Sequence, residues 1–466
     1  MSPPRLSRTA GLARAAAPVR IVHLGLGNFF RSHPCWYTEH AQDAAQWGIA
    51  AFTGRGSQPL VADLTRQQGL YTLVSRAGDA DGFEVVGSLS RAHVAADNDA
   101  WLGYFKAPEL AAVTITVTEA GYVGAAHGGL DLSRPEVQAD VKVLRDDPTG
   151  IVRTVPARLV GGFAARWRAG AGPVALVPCD NTPGNGALAA QVVRDLAQLV
   201  DDDLAGWIGE SVAVVTTMVD RITPRTTPED VLAVRAATGY SDCCPVVTEP
   251  FREWVLSGKF PAGRPGWESA GATFTDDITP HEHRKLWLLN GAHSLLAYAG
   301  SIQGHETISA AIADETCRSW VAEWWAIASH HLDQPASDLA AYRAALLQRF
   351  SNVRMRDRLD RIAADGSQKL PIRFLPVLHA ERAAGRVPAG ATRVLAAWIC
   401  HLRGAGAPVS DARAEEVVPL AAGPLDAAVP RVLGWLEPPL GADTDVVAMV
   451  VEQSKEFSRC GQIAGR

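Results

Sequence analysis

The chain has 466 residues, 47% hydrophobic and 20% charged, with a formal net charge of −6. That length and balance fit two or three globular domains with substantial cores. The mild acidity excludes the basic stripe by which proteins grip nucleic acid, and no apolar run approaches the ~18–20 residues of a membrane span. The seven cysteines (35, 179, 243, 244, 317, 400 and 460) are odd in number. The vicinal Cys243 and Cys244 lack the spacing of a zinc ribbon, so reduced thiols in the cytoplasm are expected rather than a disulfide framework.

Residues 1–20 carry four Arg and no acid. The composition resembles a transit peptide, but a disordered extension over 1–17 accounts for it equally well and is expected. The first ordered element is then the strand VRIVHLGLG, Val19 to Gly27, a continuous apolar run ending in a turn. A helical stretch follows over 33–45, then a second strand at IAAFTG, Ile49 to Gly54. YTLVSR (Tyr71 to Arg76) and FEVVGSLS (Phe83 to Ser90) are shorter strands around a Gly/Asp cluster that suits a hairpin. AAVTITVTEAGY, PVALVPCDN and SVAVVTTMVD each give a β-branched run ending in polar residues, with a helix over 184–200 between the last two. Alternating strands and helices predict an α/β domain over 18–280 with a doubly wound parallel sheet, which binds ligands beyond the carboxyl ends of its strands. From about His281 onward the pattern is helix-period throughout, so 281–466 is a mainly α-helical domain. Active sites favour domain junctions, and the boundary falls just ahead of Lys285.

Within the first domain, GLGNFFR places Gly25 and Gly27 as a truncated dinucleotide fingerprint, with Phe30 where a third glycine would sit. The first glycine permits the tight turn and the second a close backbone approach to a pyrophosphate; Phe30 implies looser helix–strand packing. The second strand ends in FTGRGS, with no acid to read a ribose hydroxyl. Arg55 and Ser57 either accept a 2′-phosphate or stand as solvated loop residues. Asn181, at the end of CDN, is a turn former or a donor aimed at a substrate oxygen. Asp220 and Arg221 end another strand and either pair with each other or serve a site.

In the second domain, KLWLLNGAH sets Lys285, Asn290 and His293 on an apolar segment. Lysine is scarce, six of 44 basic residues, and unlike Arg it can lose its proton when desolvated. This is a proton-transfer group or the polar face of a surface helix. Glu282, three residues earlier, is within helical reach of Lys285, as a proton relay or a surface ion pair. His281 and His283 have ligand-like spacing, but without a Cys or third His nearby no metal site is expected. In RIAADGSQKLP, Arg361 and Lys369 either bind substrate hydroxyls or a carboxylate, or cap the preceding helix.

In order along the chain, VHLGLGNFFRSH, WGIAAF, QQGLYTL, TVTEAGY, CDNTPGNG, TMVDRITP, EPFREWV, KLWLLNGAH, ETI, RFSN and DGSQKLP resemble the mannitol dehydrogenase family of long-chain polyol and hexuronate dehydrogenases. The pattern Lys-x4-Asn-x2-His at 285, 290 and 293 matches the family's active-site signature. The resemblance implies a Rossmann-type N-terminal domain, a helical C-terminal domain and metal-independent hydride transfer with NAD, NADP being possible. Gly25, Gly27, Asn28, Phe29, Arg55, Thr118 and Glu119 would contact the cofactor. Lys285 would be the general acid–base, which needs its pKa lowered by burial or nearby cations. Asn181 and Asn290 would donate to the developing oxyanion. His293, Asp220, Arg361 and Lys369 would position a sugar or polyol, and Glu282 would link Lys285 to solvent. The resemblance leaves a monomer or a small homo-oligomer open.

The substrate is divided between two family patterns. Mannitol-oxidising members carry His at the position of Ala364, where uronate-reducing members have an apolar residue before DGSQKLP; Arg361 is more like the mannitol side. The leading expectation is a polyol to 2-ketose dehydrogenase of the mannitol 2-dehydrogenase kind, the second a fructuronate reductase (mannonate dehydrogenase). A non-catalytic nucleotide-binding sensor is the alternative from another class, disfavoured because a sensor has no need of a proton relay.

Overall fold

A computed structural model of the chain describes residues 3–10, 14–54, 58–124 and 129–464, the last five without their side chains. It divides into two units, Met1–Ile278 and Thr279–Arg466. The first carries twelve strands among its described residues: β1 (Val19–Leu24), β2 (Gly48–Phe52), β3 (Tyr71–Arg76), β4 (Asp81–Val86), β5 (Leu89–His93), β6 (Ala112–Ile115), β7 (Val174–Pro178), β8 (Val212–Val214), β9 (Thr216–Asp220), β10 (Val246–Thr248), β11 (Glu253–Ser257) and β12 (Thr273–Phe274).

Six of them form the expected doubly wound sheet, in the order β5-β2-β1-β6-β7-β8, every neighbour parallel. Strands covered on both faces read as unbroken apolar runs, and β2, β6 and β7 are buried along their whole length. Helices Asn98–Lys106 and Val155–Ala169 cover one face around Trp101, Phe105 and Phe163. The other face packs on Phe30, Tyr37 and Trp254.

Three strand expectations change. The run 83–90 is cut at Gly87: β4 closes an antiparallel hairpin with β3, while β5 joins the parallel sheet. The run 212–220 is likewise divided, β8 ending the parallel sheet and β9 pairing antiparallel with β11. The short strands β10, β11 and β12 had no distinct sequence signal. The N-terminal segment also departs from the disordered extension expected over 1–17. Leu6 is buried, and Arg8 donates to the carbonyls of Gln68, Gly87 and Leu89, so the segment is docked against this unit over its described residues 3–10.

The second unit has no strand among its described residues, as the periodicity predicts. Its longest helices are Glu315–Ser329, Ala336–Phe350, Ala389–Leu402 and Thr444–Ala464. Among the described residues of the chain, no helix is long and apolar enough to cross a membrane.

The glycine turn after β1 rests on a buried histidine. Gly25 and Leu26 both donate to Phe52 O at 2.9 Å, tying the turn to the tip of β2. Gly25 has φ +120, and a Cβ there would lie 2.2 Å from Thr116 O, so glycine is required. Below it His23 contacts Thr114 Oγ1 through Nδ1 (2.8 Å) and Thr116 Oγ1 through Nε2 (3.0 Å), and Thr116 donates to Gly25 O at 2.9 Å. Because the Thr116 proton is committed to Gly25, Nε2 must carry the ring hydrogen and Nδ1 must accept from Thr114. Phe30 stacks on this imidazole at 3.6 Å and is fully buried, so the helix–strand gap is filled by a ring rather than loosened.

Burial holds His23 neutral, its pKa lowered from 6.5 to about 3. Between those two values the unfolded chain binds a proton that the fold refuses, so stability is full above pH 6.5 and falls as the pH drops toward 3. This residue alone should remove about 2 kcal/mol between pH 7 and pH 5. Urea melts of wild type and His23→Gln at both pH values measure it; a pH slope unchanged by the substitution would contradict it.

Candidate active site

In the first unit the residues singled out by sequence cluster at the carboxyl ends of strands. Gly27 opens a helix of only five residues, Asn28–Ser32, so the turn presents its backbone N–H groups more than the dipole of a long helix. A Cβ at Gly27 would meet nothing nearer than Gly25 O at 3.5 Å; that direction is open, as a backbone approached by a ligand requires. The Asn28 side chain is a joint, donating to Pro224 O at 3.3 Å and accepting from Arg31 Nη2 at 2.7 Å. Phe29 stacks on His33 at 5.1 Å. Thr118 and Glu119 are exposed at the start of a short 3-10 turn, Glu119–Tyr122. Arg55 and Ser57 lie outside the described residues.

Asn181 is exposed beyond β7, on a loop held by polar groups that sequence reasoning passed over. Tyr122 donates to Asp180 Oδ2, and Thr182 N donates to Asp180 Oδ1 at 3.0 Å. Asn185 Nδ2 donates to Asp180 O (3.3 Å) and Thr217 O (3.0 Å), while Thr217 N donates back to Asn185 Oδ1 (3.0 Å). A Cβ on Gly186 would lie 2.3 Å from Thr216 Oγ1, so this helix start abuts β9 directly. One network thus joins TEAGY, CDNTPGNG and the strand that ends in Asp220. Burial raises the pKa values of both Asp180 and Tyr122. Asp220 is buried at the end of β9. Its neighbour Arg221 donates to the carbonyls of Ser32 and Glu249.

In the second unit the Lys285 segment is not an ordinary helix. Thr279–Arg284 is α-helical, Lys285–Asn290 is wound as a π-helix, Gly291–Leu295 returns to α, and Leu296–Gly300 is π again. An α-helix would set residues five apart about 140° around its axis, putting Lys285 and Asn290 on different faces. An i→i+5 ladder stacks them one above the other, and Gly291 N donates to Leu286 O accordingly. His293, three residues beyond Asn290, continues the same stripe. Lys285 is 8% exposed; Glu282, Asn290 and His293 are half-buried. The His293 ring lies 4.8 Å from that of Phe350, and His283 stacks on Trp287 at 4.6 Å.

A π turn departs from the i→i−4 ladder, and its carbonyls here accept from side chains of other elements as well. Trp324 Nε1 donates to Trp287 O and Trp325 Nε1 to Leu288 O, both at 2.8 Å. Arg373 Nη1 donates to Asn290 O (3.1 Å) and Ser294 Oγ (2.8 Å). Arg373 ends the helix Gly366–Arg373, so DGSQKLP serves this segment through a residue that the sequence reading did not single out. Lys369 donates to Ile362 O and Ala364 O, the helix-capping alternative, and burial lowers its pKa. Arg361 is exposed on the helix Leu359–Ile362.

Gly291 admits the indole: a Cβ there would lie 2.6 Å from Trp324 Nε1. Gly291→Ala should therefore destabilise by about 1–3 kcal/mol and lower turnover with it. Gly206→Ala, in a helix with nothing within 4 Å of the added atom, should be neutral or stabilising. Thermal melts and initial rates of the two variants check this; equal behaviour would count against the close fit of Trp324.

Comparison with known proteins agrees over most of the length. Residues 19–269 match the family model for the mannitol dehydrogenase Rossmann domain, and residues 277–429 that for the mannitol dehydrogenase C-terminal domain. The chain is 38% identical over 365 residues to D-mannonate oxidoreductase of Escherichia coli (strain K12), covering 76% of this chain and 74% of that protein. It is 34% identical over 392 residues to mannitol 2-dehydrogenase of Cereibacter sphaeroides, covering 83% and 81%. A Pseudomonas fluorescens mannitol 2-dehydrogenase, solved as a ternary complex with NAD and D-mannitol, superposes with a TM-score of 0.83 at 30% identity, covering 99% of this chain and 98% of that one.

Proposed function

The chain belongs to the mannitol dehydrogenase family, and from that premise we propose that it interconverts a polyol and a 2-ketose, as in mannitol and fructose, using NAD in preference to NADP. The observation that carries this reading is the π turn, which stacks Lys285 and Asn290 on one stripe with His293. The glycine turn suits a dinucleotide, since Gly27 leaves its outer face open while Gly25 is packed inward. The complex of the Pseudomonas fluorescens relative with NAD and D-mannitol supports the choice of NAD. When bound, the nicotinamide supplies the hydride acceptor.

Lys285, in its neutral form, takes the hydroxyl proton as hydride leaves the same carbon; in the reverse direction its ammonium returns that proton to the nascent alkoxide. A lysine that serves as a base needs surroundings that disfavour its charged form, and Lys285 is a buried residue. Asn290 and Asn181 donate hydrogen bonds to the oxygen on which charge develops, a preorganised role worth more than the same bond in water. His293 and Asp220 position the polyol hydroxyls, joined by Arg361 and Lys369, and Glu282 carries protons between Lys285 and water. Lys369 retains one N–H after its two carbonyl bonds.

A second reading, reduction of a hexuronate such as fructuronate, draws on the 38% identity to D-mannonate oxidoreductase and on Ala364 before DGSQKLP. Initial rates with NADH and NADPH against fructose, xylulose, fructuronate and tagaturonate divide the two. Turnover of fructose is expected; turnover of fructuronate without fructose would replace the first reading by the second. Lys285→Ala should lower kcat by about two to four orders of magnitude, the usual worth of general acid–base catalysis. Unchanged turnover across the sugar panel would remove Lys285 from the chemistry.

A further inference from the structure

Two arginines of the helix Val155–Ala169 are buried, and they are treated very differently. Arg166 is caged by carbonyls: Nε bonds Gly172 O, Nη1 bonds those of Phe105 and Ala107, and Nη2 bonds those of Leu110, Ala171 and Pro173, all between 2.7 and 3.2 Å. Arg158 is 7% exposed, yet among the described residues it reaches an acceptor only by a long approach of Nη1 to Thr53 O at 3.5 Å. Among those residues its Nη2 has no hydrogen-bond partner. The guanidinium carbon lies 4.7 Å from the ring centroid of Trp101 and 5.8 Å from that of Phe52. Among the described residues no carboxylate offsets the charge, and burial lowers the pKa to about 10. Asp97, four residues before Trp101 in the chain, is engaged by His93 Nδ1 at 2.6 Å and by Ala100 N at 3.3 Å. A buried guanidinium with idle donors is costly, and that cost is recovered when an anion arrives.

The place of Arg158 says which anion. Thr53 immediately follows the last residue of β2, and Phe52 O accepts from Gly25 N and Leu26 N, so Arg158 stands one peptide from the glycine turn. In doubly wound sheets the tip of this strand faces the adenosine ribose, where an acid marks NAD and an arginine accommodates a 2′-phosphate. Thr53 and Gly54 supply no acid there. Resting on the dinucleotide reading given above, we propose that Arg158 reads the 2′ position of the ribose and equips this corner for a 2′-phosphate, so that the chain takes NADPH as well as NADH. The end of the arginine arm turns out from beneath Thr53, and its planar fork pairs with two phosphate oxygens.

Calorimetric titration of the full chain with ADP and with adenosine 2′,5′-bisphosphate isolates this corner without turnover. Wild type should bind both. Arg158→Met, which keeps the length of the arm against Trp101, should weaken the bisphosphate by about 10- to 100-fold, the range for a hydrogen bond to a charged group, and ADP by less than about threefold. Arg158→Lys keeps the charge without the fork and should fall between the two. Fluorescence titration with NADPH and NADH should repeat the pattern. Equal weakening of both ligands by either variant, or a wild type that binds ADP and NADH but neither 2′-phosphorylated ligand, would overturn the assignment while leaving the dinucleotide reading intact. If none of the four ligands binds wild type, the dinucleotide reading falls and this inference with it.

Discussion

The widened turn at Lys285–Asn290 is the constraint around which the second unit is organised. A buried carbonyl left with no donor would cost about 1–3 kcal/mol, and at Trp287, Leu288 and Asn290 other elements bring donors to this turn. Helix Glu315–Ser329 brings two indoles and helix Gly366–Arg373 a guanidinium. Gly291 lets the first indole in, and Tyr298, in the next π segment, donates to Ala363 O at 2.9 Å just before the DGS turn. The stripe of Lys285, Asn290 and His293 is therefore a property of four packed elements rather than of one helix.

The first unit uses the same device with strand ends. Side-chain amides, hydroxyls and one neutral imidazole are threaded between loops whose backbone cannot pair in a ladder. His23, Thr114 and Thr116 hold the glycine turn; Tyr122, Asp180, Asn185 and Thr217 hold the loop that carries Asn181. Such networks are stabilising only when complete, because each member is buried in a medium where an unpaired dipole is expensive. That makes loop tips, ordinarily the most mobile parts of a sheet protein, rigid where chemistry is wanted.

Much of this was legible from the chain alone, for identifiable reasons. The run at Val19–Leu24 and the hairpin strand Tyr71–Arg76 were readable because burial on both faces, or alternation, leaves a local imprint. The helical second half was readable because its period is uniform. Strand ends were misjudged where partner choice, not local sequence, decides them: nothing in FEVVGSLS says that its halves enter different sheets. The docked N-terminus escaped notice because Arg8 bonds carbonyls some 60 to 80 residues away. Arg158 and Arg373 were passed over among many arginines for the same reason. The π turn did leave a trace. A spacing of five between Lys285 and Asn290 is wrong for one face of an α-helix, and two chemically suited residues at a mismatched spacing point to a mismatched helix.

The divided strand 212–220 has a consequence for how the first unit opens and closes. Its first part ends the parallel sheet and its second part forms one edge of a three-stranded mixed sheet, antiparallel to β11. Between them Val215 is fully buried, donating to Leu176 O at 2.9 Å. A slip of one residue would turn every side chain to the wrong face in both sheets at once. Two independent ladders thus vote on a single register, and neither can fray at this seam without loosening the other. Such an arrangement merges what would be two opening units into one, so amide protons on either side of Val215 should exchange together and late. Asp220, at the far end, inherits its place from both.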